Sequence, residues 1–126
     1  MKLRRTMIFV KDLARMTAFY RDGLGLRLIP ESGQEHWVEF DAGGCLLALH
    51  EIPAEISREI VITNPPEPRQ GTPLKLVFET LDLEAARSHL LSHRAVMHEP
   101  RSWGACDGLD PEGNVFQIVA ASGRFV

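Results

Sequence analysis

The sequence predicts an α+β fold built from two β-α-β-β-β modules in pseudo-symmetric tandem. Three observations carry this reading. First, the run Ile8-Phe9-Val10-Lys11-Asp12-Leu13-Ala14-Arg15 is answered by Phe78-Glu79-Thr80-Leu81-Asp82-Leu83-Glu84-Ala85. Each is an apolar strand, then Asp, then a Leu that opens an amphipathic stretch. Second, Asp41-Ala42-Gly43-Gly44 before Cys45–Leu49 is answered by Asp110-Pro111-Glu112-Gly113-Asn114 before Val115–Val119. Third, a proline-rich stretch from Asn64 to Pro73 separates the halves, and its prolines forbid helix and central strand alike. The 126 residues therefore read as one domain, with module one at about 1–63, a linker at about 64–73 and module two at about 74–126. Pseudo-symmetry implies a cleft with paired walls, where equivalent residues face each other.

The elements follow in order. Leu3 to Val10 is a strand, and Asp12 is suited to cap the helix after it, its carboxylate accepting from free first-turn N–H groups. Leu13, Met16, Phe19 or Tyr20, and Leu24 recur at helical spacing, and Gly23 and Gly25 end that helix. Leu26 to Pro30 is a short strand, and Ser32-Gly33-Gln34 a turn. Glu35 to Asp41 alternates, with His36, Val38 and Phe40 on one face and Trp37 and Glu39 on the other. Gly43-Gly44 marks a hairpin turn before the strand Cys45–Glu51, and a short helical turn is expected within Glu55–Ile60. In module two, Leu74 to Glu79 is a strand, and Asp82 caps a helix with Leu83, Ala86 and Leu90 inward. Val96 to Glu99 is a short strand, Trp103, Gly104 and Cys106 lie in a loop, and Pro111–Asn114 is a tight turn before the last strand, Val115–Ala120.

Composition narrows the function classes. Hydrophobic residues make up 44% and charged residues 25%, ordinary for a globular chain long enough to bury a core. A net charge of -3 gives no reason to expect nucleic acid or a membrane as partner. Two cysteines are too few for a disulfide framework or a Cys-rich zinc site. The basic start (Lys2, Arg4, Arg5) is followed by only a short apolar run, too short for a signal-peptide core, so a cytoplasmic location is expected.

Thr6–Leu13 with Phe19-Tyr20 and Leu24-Gly25-Leu26, then Phe78–Asp82, then Trp103-Gly104 with Asp110-Pro111-Glu112-Gly113-Asn114, occur in an order that resembles the vicinal oxygen chelate superfamily. That superfamily includes glyoxalases, extradiol dioxygenases and bleomycin-resistance proteins. The resemblance implies a curved mixed sheet around a cleft, a homodimer, and four metal-ligand positions that map onto Arg5, Ala48, Lys75 and Gln117. Here the chain departs from the metal pattern. A guanidinium has no lone pair to give, an ammonium is a poor ligand near neutral pH, and alanine offers nothing. Only Gln117 could coordinate, so no metal or other cofactor is expected.

Strand alternation then places Arg5, Met7 and Phe9 on the cleft face of the first strand, with Ala48 and His50 on theirs, Lys75 on its own, and Gln117 on the last. Trp37 and Glu39 line the same cavity, and Trp103 could close over it. The cations must find partners: either Glu39 neutralises one or both, or they await an anionic ligand. His89 and His93 stand four apart without the Glu of a zinc motif, so a solvated position is expected for both. The leading expectation is metal-free binding of a small, partly apolar, anionic molecule. One alternative is a metal-dependent lyase or dioxygenase with ligands displaced to His50, Glu39 and Gln117. Another is a non-catalytic regulatory or partner-binding module whose cleft is filled by its own salt bridges.

Overall fold

The computed structural model describes residues 1, 3–69, 71 and 73–121. Lys2 of the basic start and Gln70 and Thr72 of the expected linker lie outside the described residues. The chain divides into two compact units, Met1–Val61 and Ile62–Val126. Each carries one four-stranded mixed sheet with few helices, the α+β architecture predicted from the repeat.

In the first unit the elements are β1 (Arg5–Val10), α1 (Leu13–Ala18), β2 (Arg27–Leu28), β3 (Trp37–Asp41), β4 (Leu46–Glu51) and α2 (Ala54–Ser57), with sheet order β1-β4-β3-β2. The β1–β4 pair is parallel and the others antiparallel. Asp12 caps α1 as expected, accepting from the Arg15 N–H at 3.0 Å. The helix continues as a wider π turn over Phe19–Gly23, and Gly25 takes the left-handed backbone (φ 70°) that ends it. Met16, Phe19 and Tyr20 are buried, and Tyr20 meets Phe40 of β3, which fixes the covered face of the sheet. The expected strand 26–30 shrinks to Arg27–Leu28, because Pro30 opens a 3₁₀ turn at Pro30–Ser32.

The second unit repeats the plan: β5 (Leu76–Thr80), α3 (Leu83–Ser92), β6 (Val96–Met97), β7 (Ala105–Leu109) and β8 (Val115–Ala120), in order β5-β8-β7-β6 with β5–β8 parallel. Asp82 caps α3 through the Ala85 N–H. Leu90, Cys106, Phe116 and Ile118 form the covered side. Two expectations are corrected. Residues 105–109 form a full strand where a loop was expected, so Cys106 is a buried strand residue. It packs toward Arg87 and donates to the His98 carbonyl. The first strand of this unit begins at Leu76, so Lys75 stands just before it rather than within it.

The closing hairpin is held from both sides. The Asp110 carboxylate is fully buried and accepts from the backbone of Glu112 and Asn114 and from the Asn114 amide. Gly113 (φ 85°) lies so close to the Glu67 carbonyl that a Cβ there would sit 2.0 Å from its oxygen.

Candidate functional site

On β1, residues 5, 7 and 9 share one face, and the register carries that face across the sheet. Met7 pairs with Ala48 and Ala48 with Glu39; Phe9 pairs with His50 and His50 with Trp37. This is the face opposite Tyr20 and Phe40, and it is partly open: Met7 and Phe9 are exposed, while Ala48 and Glu39 are buried. The seven candidates of the first module therefore do share one surface.

Arg5 of β1 meets Glu39 of β3 at 3.2 Å. The same carboxylate oxygen accepts from Trp37 Nε1 at 3.2 Å, and the Arg5 guanidinium stands 5.8 Å from the Trp37 ring centre. Arg5 Nε is buried without a hydrogen-bond partner.

The second unit has the same layout with different chemistry. Val77 pairs with Gln117 and Gln117 with Asp107, so Asp107 holds the place that Glu39 holds in the first unit. Asp107 accepts from Lys75 Nζ at 3.2 Å, from Gln117 Nε2 at 2.9 Å, and from Arg101 Nε and Nη2 at 3.2 and 2.7 Å. Burial pushes its carboxyl up, but the hydrogen bonds from Arg101, Gln117 and Lys75, with the Lys75 charge, override this and bring it down to about 2.

Lys75 and Gln117 are thus brought together, by a residue that sequence reasoning missed. Arg101 was missed as well. The turn between Arg101 and Gly104 presents it, its N–H donating to the Ala105 carbonyl. The cluster sets two cations against one carboxylate and borders a cavity of about 460 Å³ with Leu109, Val115 and Pro68 among its walls. Glu99 on the same rim is paired with Arg87.

Other candidates stand apart from these clusters. Trp103 is 66% exposed in its turn. His89 and His93 lie with ring centres 4.2 Å apart at the end of α3, and His93 Nδ1 meets the His89 carbonyl. His36 is bound to Glu51 at 2.7 Å. Among the described residues, no three His, Cys, Asp or Glu side chains are grouped to hold a metal ion, and no helix is long and apolar enough to cross a membrane.

The profile of the Glyoxalase/Bleomycin resistance protein/Dioxygenase superfamily matches residues 2–118. Among solved structures, a protein of unknown function from Agrobacterium tumefaciens is 28% identical with a TM-score of 0.70, over 97% of this chain and 95% of that one. A glyoxalase/bleomycin resistance protein/dioxygenase family enzyme from Burkholderia phytofirmans is 21% identical with a TM-score of 0.70, over 97% and 100%. TnmS3, an antibiotic binding protein from Streptomyces, is 22% identical with a TM-score of 0.64, over 97% of each chain. No functionally curated protein matches. At these identities the last two likenesses speak for the fold, and the chemistry must be argued from the side chains.

Proposed function

Because this chain belongs to the Glyoxalase/Bleomycin resistance protein/Dioxygenase superfamily, we propose that it uses the superfamily's sheet faces, without a metal, to bind a small, partly apolar, anionic molecule. The observation that carries this is the surplus positive charge on Lys75 and Arg101. They share the single carboxylate of Asp107, and Arg101 and Asp107 border a cavity whose walls include the apolar Pro68, Leu109 and Val115 beside His98 and Glu99. Both donors of Arg101 to Asp107 go to one oxygen, so the guanidinium keeps further N–H groups for a ligand carboxylate, phosphate or phenolate. In the first unit Arg5 Nε also lacks an acceptor.

The donor set argues against the divalent metal that the superfamily implies. Of Arg5, Ala48, Lys75 and Gln117, two are cations held by carboxylates and one is a methyl group, so the four positions offer a single donor atom, the Gln117 amide oxygen. Of the displaced set, Glu39 already accepts from Arg5 and Trp37. A cation there would have to break those contacts and stand beside a guanidinium.

A second reading, a module whose charges serve only its own fold, is favoured by the pairing of Arg5 with Glu39 and of Lys75 with Asp107. A thermal-shift screen of aromatic and aliphatic carboxylates, phosphates and phenolates separates the two. Binding predicts stabilising hits that vanish in Arg101→Ala, while the self-filled module predicts none. A homodimer, which the resemblance to the superfamily implies, belongs to the same proposal. Light scattering should then report twice the 14.1 kDa chain mass, and a value of 14.1 kDa would exclude it.

A further inference from the structure

Three rings stand on one rung of the first sheet. Phe9 of β1 pairs with His50 of β4, and His50 pairs with Trp37 of β3. The Phe9 and His50 ring centres are 5.5 Å apart at 33°, and Trp37 meets His50 edge-on at 5.5 Å and 70°. The equivalent rung of the second sheet is Glu79, Val119 and Ala105, with no ring at all. The aromatic rung is therefore a departure from the internal symmetry rather than a requirement of the fold.

Its surroundings suit a ligand. Phe9 is 55% exposed, so the row of rings is left open where core aromatics would be covered. Trp37 and His50, with Gln34, Glu35 and His36, border a cavity of about 390 Å³, within the range that takes small organic molecules, and the exposed Phe9 ring lies beside His50 outside its lining. Among the described residues the His50 imidazole makes ring contacts with Phe9 and Trp37 but no hydrogen bond. One ring nitrogen of a neutral imidazole donates and the other accepts, so the centre of the rung offers both functions to whatever covers it.

We propose that the Phe9–His50–Trp37 rung is a stacking subsite for a planar aromatic ring, with His50 hydrogen-bonding a polar substituent on that ring. The inference rests on the reading that the chain binds a small anionic molecule, and it narrows the ligand of the first sheet to an aromatic acid, the cation of that same face being Arg5, 5.8 Å from the Trp37 ring centre. A flat ring can lie offset on Phe9 and His50 while meeting Trp37 at its edge; a puckered aliphatic skeleton gains only the area it covers.

The test is calorimetric titration with 2-naphthoate and with decahydro-2-naphthoate, which share carbon skeleton and charge but differ in flatness. The aromatic acid should bind about fivefold tighter or better, and Phe9→Leu and His50→Leu should each erase that preference. Because Phe9 is exposed, Phe9→Leu keeps the fold, which circular dichroism verifies. Equal binding of the two acids, or a preference untouched in both variants, overturns the aromatic subsite and leaves the anion reading standing. If the neutral 2-naphthamide binds as tightly as 2-naphthoate and shows the same dependence on Phe9, the subsite stands and the anion reading falls. No binding by any of the three probes overturns both.

Discussion

Glu39 and Asp107 hold the same place in their respective sheets. Glu39 pairs with Ala48 and Asp107 with Gln117, in the same antiparallel sense, and each accepts a cation that stands at or just before the start of the leading strand. The repeat thus extends from backbone to charge. Arg5–Glu39 and Lys75–Asp107 are one design written twice, and only the second carries an extra cation, Arg101.

The Asp107 cluster should show in the acid stability of the protein. Folding lowers its carboxyl from the ordinary 3.8 to about 2, so between these values the unfolded chain binds more protons than the native one. Its stabilisation is complete above about pH 4 and is lost as pH falls toward 2. Since Lys75 and Arg101 are 41% and 53% exposed, we expect about 1–2 kcal/mol rather than the full value of the shift. Urea melts from pH 6 to pH 2.5 should show a shallower acid limb for Asp107→Asn than for wild type. Parallel limbs would remove Asp107 from this role.

Arg5→Ala removes the charged partner of a carboxylate whose side chain is only 12% exposed, leaving it the Trp37 N–H alone. The cost should be about 1–3 kcal/mol in a denaturant melt, below the range for a fully buried pair because Arg5 is 32% exposed. Glu39→Gln with Arg5→Ala should recover part of it. A neutral Arg5→Ala would show that water already satisfies Glu39.

Gly113→Ala should cost about 2 kcal/mol or more. The residue needs a positive φ, and its Cβ would meet the Glu67 carbonyl at 2.0 Å, so the linker must detach from the hairpin. Loss of the Arg69–Glu112 contact, read as increased proteolysis near Arg69, should accompany it. An unchanged melting temperature would contradict this packing.

How far the sequence could be read depended on composition. The Arg5, Met7 and Phe9 face was legible because β1 is an unbroken alternating strand, and Trp37 with Glu39 followed from the same period. Asp107 and Arg101 were not legible. Ala105-Cys106-Asp107-Gly108-Leu109 has no β-branched or aromatic residue, and Asp and Gly are poor strand formers. Gly108 is there because its neighbours press in: a Cβ would stand 2.5 Å from Met97 Sδ. The one available signal was the repeat, which demanded a strand before Asp110 to match Trp37–Asp41. Pairing was beyond sequence for the same reason: Glu39 was in view as a partner for both cations, and Asp107 was not.

The two thiols should differ sharply. Cys45 is exposed, whereas burial pushes the Cys106 thiol up, and it donates to the His98 carbonyl. A disulfide reagent at pH 8 should therefore modify one thiol promptly and the second only on unfolding. Two equally fast thiols would place residue 106 at the surface.

The central claim, anion binding without a metal, meets its most direct test in one titration. Protein dialysed against EDTA is titrated calorimetrically with hexanoate, a small carboxylate with an apolar tail, before and after one equivalent of Mn²⁺, Ni²⁺ or Zn²⁺, beside the double variant Lys75→Ala/Arg101→Ala. Metal-free anion binding predicts saturable uptake by the EDTA-treated protein, unchanged by metal and abolished in the double variant. Binding that appears only after metal is added, with the double variant still competent, would contradict it.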